Sequence, residues 1–70
     1  MFDVVIVDVG DTKLHVVKVI FDTTGVSLKE AKELTDSVPS VVKKNISQQE
    51  AENIKMELEN AGAKVELRAF

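Results

Sequence analysis

The sequence predicts one small α+β domain spanning residues 1–70. Strands are indicated at both ends, by the short β-branched run "FDVVIVD" and by the strict apolar and polar alternation of "KVELRAF". Helices are indicated between them, because a serine followed three residues later by a glutamate twice precedes an apolar periodic stretch. A chain of 70 residues, 44% hydrophobic and 30% charged, has the size and composition of a single folded domain.

The first three elements are predicted from Phe2 to the end of a second helix. Phe2 to Asp8 is too short for a helix and ends in the turn "GDT", so it is predicted to be a buried strand. Thr12 to Asp22 is predicted to be a helix closed by Thr24 and Gly25. Ser27 and Glu30 then form a capping box that begins the second helix. The apolar stripe of that helix comprises Leu28, Ala31, Leu34 and Val38.

The second half of the chain predicts a strand, a helix and a strand. "PSVVKKNI" starts with a helix breaker and contains a β-branched pair, which indicates a short edge strand. Ser47 and Glu50 repeat the capping box, and the helix that they begin ends at Gly62. Its apolar stripe comprises Ala51, Ile54, Leu58 and Ala61. Lys64 to Phe70 is predicted to be a half-buried strand with Val65, Leu67 and Ala69 on one side.

The first predicted helix has more apolar surface than a helix on a sheet needs. At roughly 100° per residue, one apolar stripe comprises Val16, Val19 and Ile20, and a second comprises Leu14, Val17 and Phe21. His15, Lys18 and Asp22 form the only clear polar strip. Two interpretations stay open. Either both stripes are buried, or Leu14, Val17 and Phe21 stay partly exposed beside Lys18 as a docking surface, with Lys29 or Lys32 brought to the same rim.

Composition argues against several classes of function. The net charge of −3 and the absence of tryptophan and tyrosine disfavour direct nucleic-acid binding. No cysteine is present, so disulfides and thiolate metal sites are excluded, and the expected compartment is the cytoplasm. Neither a signal peptide nor a run long enough to span a membrane is visible.

Catalytic chemistry is equally disfavoured. His15 is the only histidine and has no obvious co-ligands, so no metal is expected. The serines do not lie in a nucleophile elbow, and the three isolated glycines make no phosphate loop. We therefore expect no enzyme activity and no cofactor.

Several of these segments together resemble one known family. "FDV", "KLHVVKVI", "TTGVSLKEAKEL", the proline of "SVP" and "EAENIKMELENAGAKVEL" occur in this order from Phe2 to about Arg68. In these motifs the chain resembles the C-terminal domain of the bacterial ribosomal stalk protein, large-subunit protein seven/twelve. The resemblance implies a β-α-α-β-α-β fold, with three helices on one face of a three-stranded antiparallel sheet. It also implies a non-enzymatic head that recruits translation GTPases, such as elongation factors, through the first two helices.

The resemblance also supplies contact positions and shows departures from the family pattern. Phe21 stands where the family usually has an arginine, so an apolar contact replaces a charge-assisted one. Ser27 stands where a glycine is common. The dimerising helices and hinge of the family are not found here, which leaves open an excised domain or a free-standing relative. The contact positions carried over are Leu14, Val17, Lys18 and Lys32, with Lys13, Lys29 and Glu30 nearby.

The leading hypothesis is an interaction module that presents Leu14, Val17, Lys18, Phe21 and Lys32 to a translation GTPase. An alternative is an adaptor for a Clp-type ATP-dependent protease, since the Clp adaptor for N-degrons has a similar fold, although its recognition residues are not found in this chain. A weak homodimer formed through the same apolar stripe is a third possibility.

Overall fold

The computed structural model describes residues 1–69 and has the predicted order of elements. The α+β class and the β-α-α-β-α-β order are confirmed. Phe70, predicted to end the last strand, lies outside the described residues. The elements are β1 (Phe2–Asp8), α1 (Lys13–Thr24), α2 (Leu28–Asp36), β2 (Ser40–Ile46), α3 (Gln48–Asn60) and β3 (Lys64–Ala69).

The three strands form one antiparallel sheet in the order β2-β1-β3. The strand predicted at "PSVVKKNI" is therefore an edge strand, as expected. Its pairing with β1 contains register shifts, where Val4 lies opposite Lys43 and Val5 lies opposite Val41. At one end of the sheet Phe2 pairs with Ala69, so the two ends of the described chain lie side by side.

All three helices contribute to one core on a single face of the sheet. Val4 and Ile6 of β1 both point into this core, because alternate residues of a strand face the same side. Neither has any exposed surface. Ile20 of α1, Ala31 of α2 and Leu58 of α3 meet them there, also with no exposed surface. The predicted stripe of α3 is buried throughout, at Ala51, Ile54, Leu58 and Ala61.

Both predicted capping boxes are present at the starts of their helices. The Ser27 Oγ accepts a hydrogen bond of 3.1 Å from the Glu30 amide, and the Ser47 Oγ accepts one of 3.3 Å from the Glu50 amide. These bonds satisfy amide donors that the first turn of a helix leaves without a backbone partner. Ser27 thus acts as a side-chain cap for α2.

The first helix begins one residue later than predicted and ends two residues later, at Thr24. It continues through Thr23 and Thr24, whose hydroxyls donate hydrogen bonds to the Val19 and Ile20 carbonyls. It then stops at Gly25, which has a φ of 73° and donates its amide proton to the Phe21 carbonyl. A glycine adopts this left-handed conformation without the steric penalty of a side chain.

The loop before α1 is held against the end of α3. Thr12, which precedes α1, does not cap that helix with its side chain, and its hydroxyl donates to the Ala61 carbonyl instead. Gly62 follows with a φ of 101°, and a Cβ atom there would lie 2.7 Å from the Thr12 Oγ1. This contact fixes the start of α1, the helix that carries most of the predicted site.

Candidate functional site

A cavity of about 380 Å³ lies between α1 and α2. The turn at residues 25–27 folds α2 back alongside α1, so one face of each helix lines the same space. Spacings of three and four residues place the lining side chains on a common face of their helix. We call this space the α1–α2 cavity; its lining residues are Lys13, Leu14, Val17, Lys18, Leu28 and Lys32.

The apolar part of the α1–α2 cavity consists of two exposed leucines above a buried valine. Leu14 is 83% exposed and Leu28 is 60% exposed. Val17 is only 6% exposed and belongs to the hydrophobic core that includes Ala31 of α2. The prediction that Val17 stays partly exposed was therefore wrong, because α2 packs over it. The opposite prediction, that the whole second stripe is buried, was wrong for Leu14.

Phe21 extends the apolar stripe beyond the α1–α2 cavity. It lies one helical turn after Val17 and is 44% exposed, but it does not line the cavity. The structure thus places Leu14, Val17 and Phe21 on one side of α1, with Leu14 and Phe21 available to a partner. The surplus apolar surface predicted for this helix is present at both ends of the stripe and covered in its middle.

The five remaining predicted site residues occupy different environments. Lys18 and Lys32 are exposed and line the cavity. Lys13 also lines it, but its Nζ forms an ion pair with Asp36 at the end of α2. Lys29 and Glu30 are exposed on α2 and lie outside the cavity lining.

Two residues at this site were missing from the predicted set. Leu28 was assigned only to the apolar stripe of α2, of which Ala31 is buried and Leu34 is half-buried. Asp36 was not singled out at all. Both lie four residues from Lys32, so the spacing was a signal that places them on the same face of α2. It does not indicate that Asp36 pairs with Lys13.

Charge is distributed unevenly over the described surface. The chain has a net charge of −3, yet the α1–α2 cavity is lined by three lysines and no carboxylate. The opposite sign occurs between α1 and α3, where two adjoining cavities of about 350 and 340 Å³ contain Asp22, Glu50 and Glu57. A lysine rim around apolar side chains attracts and orients an acidic partner before the apolar contact forms.

Among residues 1–69, no group of three or more His, Cys, Asp or Glu is placed to hold a metal ion. His15 is exposed on α1, outside the cavity lining. In the same part of the chain, no helix has the length and apolar character needed to cross a bilayer. The side chains at the α1–α2 cavity offer apolar contact and positive charge.

Comparison with known proteins gives the same family as the sequence motifs. Residues 2–68 match the family model described as "Ribosomal protein L7/L12 C-terminal domain". The chain is 61% identical over 66 residues to a protein named large ribosomal subunit protein bL12 from Coxiella burnetii, covering 94% of this chain and 52% of that protein. It is 54% identical over 67 residues to the protein of the same name from Campylobacter fetus, covering 96% of this chain and 54% of the relative. The chain therefore spans about half the length of the curated relatives that it matches.

Proposed function

The chain belongs to the ribosomal protein L7/L12 C-terminal domain family, and from this premise we propose that it is a non-enzymatic domain that binds a translation GTPase through the α1–α2 cavity. The observation that carries the proposal is the composition of that cavity, in which exposed leucines lie inside a rim of lysines. Leu14, Val17, Lys18 and Lys32 occupy the contact positions that the family resemblance implies. This combination supports the proposed recruitment role.

The apolar residues supply most of the binding free energy. Burying a leucine side chain is worth about 1.5–3 kcal/mol relative to leaving it in water. Leu14 and Leu28 still expose most of their surface in the free domain, so most of this gain is available to a partner. Val17 forms the floor of the cavity and limits how deeply a partner side chain enters.

The lysines contribute mainly to the rate and orientation of association. An exposed ion pair is worth about 0.2–1 kcal/mol, which is less than one buried leucine. Clustered charges nevertheless increase the association rate and suppress binding of partners that present positive charge. Lys18 and Lys32, on neighbouring helices, therefore select for a partner surface in which carboxylates flank an apolar side chain.

The size of the domain favours a weak and short-lived complex. A stable interface buries about 800 Å² on each partner. This value is roughly a fifth of the domain's total accessible surface of 4357 Å². The α1–α2 cavity and Phe21 provide only a small patch, which suits a contact that forms and breaks repeatedly.

An NMR titration of the isotope-labelled chain with elongation factor G tests the proposal. Signals of Leu14, Lys18, Leu28 and Lys32 are expected to shift, because these residues line the cavity. The matched control is the acidic groove between α1 and α3, where Glu50, Asn53 and Glu57 are expected to keep their shifts. No shift at near-millimolar concentration would refute the proposal.

The two alternatives have less support. The relatives reported above carry the name of a large-subunit ribosomal protein, and nothing in the comparisons supports a Clp-type adaptor. A homodimer through the α1–α2 cavity would bring Lys18 and Lys32 of one copy close to the same residues of the other, and like charges repel. Light scattering over a concentration range tests the homodimer, and a pull-down that returns a Clp chaperone without a translation factor would favour the adaptor.

A further inference from the structure

Lys13 and Asp36 both lie at the electrostatically unfavourable ends of their helices. Lys13 is the first residue of α1, where the helix dipole is positive, and Asp36 is the last residue of α2, where the dipole is negative. The first turn of α1 contains no acidic residue, and the last turn of α2 contains no basic residue. Each charge is therefore unfavourable within its own helix, and local sequence preference does not explain either of them.

The structure brings these two charges together, although only Lys13 lines the α1–α2 cavity. The Lys13 Nζ forms an ion pair with the Asp36 Oδ1, and the two side chains are 43% and 47% exposed. The pair joins the start of α1 to the end of α2 and offsets the unfavourable dipole interaction of both residues. In residues 1–69, Lys13 is the only one of the three cavity lysines that has an ion pair.

Within residues 1–69, Asp36 is consequently the carboxylate that pairs with a lysine of the cavity rim. It follows Lys32 by one helical turn, on the α2 face that also carries Leu28. A partner that binds with an acidic group must compete with Asp36 for Lys13, whereas Lys18 and Lys32 present their charge without such competition in the described residues.

We propose that Asp36 is a positioning residue that acts as an internal competitor for the acidic partner: by holding Lys13, it lowers the affinity and the salt dependence of binding at the α1–α2 cavity. The inference rests on the proposed function, because it concerns the same site. Asp36 is not among the contact positions that the family resemblance implies, and its proposed role is to oppose partner binding. Removal of the Asp36 charge releases Lys13 to the partner.

A double-mutant cycle with elongation factor G tests this role. Asp36→Asn keeps the size of the side chain and removes its charge. It is expected to tighten binding about two- to fivefold, the range of one exposed ion pair, and to increase the salt dependence. Glu33→Gln makes the same charge change at an exposed α2 residue that, within residues 1–69, forms no ion pair with a cavity lysine, and no comparable gain is expected.

Lys13→Met provides the second side of the cycle. In that background Asp36→Asn is expected to leave the affinity unchanged, because the competitor acts only through Lys13. The proposal is overturned if Asp36→Asn fails to tighten binding, or if it tightens binding equally without Lys13. Thermal unfolding of every variant separates these results from loss of folding.

The same cycle is run with a hexaglutamate peptide as a second probe. If wild-type chain fails to bind elongation factor G, the proposed function fails. The peptide then still tests whether Asp36 competes for Lys13.

The Lys13 ε-carbon NMR signal is expected to shift in Asp36→Asn and to stay in place in Glu33→Gln. An unchanged signal in both variants would contradict the ion pair itself.

Discussion

Replacing Leu14 with alanine is expected to separate binding from folding. Leu14 is 83% exposed, so the free domain gains little stability from its side chain. The free energy of unfolding should change by less than about 0.5 kcal/mol, as is usual for surface substitutions. Any large effect of this variant therefore appears in the complex.

The loss of binding follows from the surface that Leu14 still exposes. Complete burial of a leucine is worth about 1.5–3 kcal/mol, and an exposed fraction of 83% leaves most of that value for the partner. Alanine keeps part of the apolar contact, so the expected loss is about 1–2 kcal/mol. At about 1.4 kcal/mol for each tenfold change, binding to elongation factor G weakens roughly 5- to 30-fold.

Fluorescence anisotropy with labelled chain measures this change, and Met56→Ala is the matched control. Met56 is also a large exposed apolar residue, 61% accessible, but it lies on α3 away from the α1–α2 cavity. The control is expected to bind as the wild type does. Equal affinities for Leu14→Ala and wild type, or equal losses in Leu14→Ala and Met56→Ala, would refute the assignment of the site.

Three further predictions use calorimetry, denaturant unfolding and binding assays. Val17→Ala is expected to lower the free energy of unfolding by about 1–3 kcal/mol, since its side chain is 6% exposed; an unchanged melting temperature would contradict its burial. Phe21→Arg is expected to steepen the salt dependence of binding to elongation factor G, because it adds a cation beside Lys18, and a salt dependence equal to wild type would argue against contact at this position. Gly62→Ala is expected to cost more stability than Gly25→Ala in urea unfolding. Both have positive φ values, but only Gly62 has an atom, the Thr12 Oγ1, within 4 Å of the added Cβ; equal losses would contradict the close packing at Gly62.

Local sequence signals predicted the elements well because the relevant interactions are local. The bounds of β1 are as predicted, since a β-branched run with a turn at its end has one favourable conformation. The two capping boxes place the starts of α2 and α3, because the serine and the glutamate amide that it accepts from are three residues apart. The end of α1 was predicted less accurately, because the hydroxyls of Thr23 and Thr24 extend the helix by bonding back to its own carbonyls.

The candidate site was predicted only in part. Helical periodicity gives the direction of each side chain around the helix axis, but it does not show which side chains a neighbouring element covers. Leu14 and Val17 belong to one stripe, yet they differ in exposed fraction from 83% to 6%. Only the position of α2, which is set by tertiary packing, decides which of them is covered. The pairing of Lys13 with Asp36 joins residues 23 positions apart in the sequence, so no local pattern indicates it.

The adjacent ends of the chain have a mechanical consequence. Phe2 and Ala69 form the last pair at one end of the antiparallel ladder between β1 and β3. The start of β1 and the end of β3 therefore lie next to each other. A force that pulls the two ends apart would load the hydrogen bonds between β1 and β3 one after another, beginning at the Phe2–Ala69 pair. We expect such a load to peel β3 away from β1 at low force.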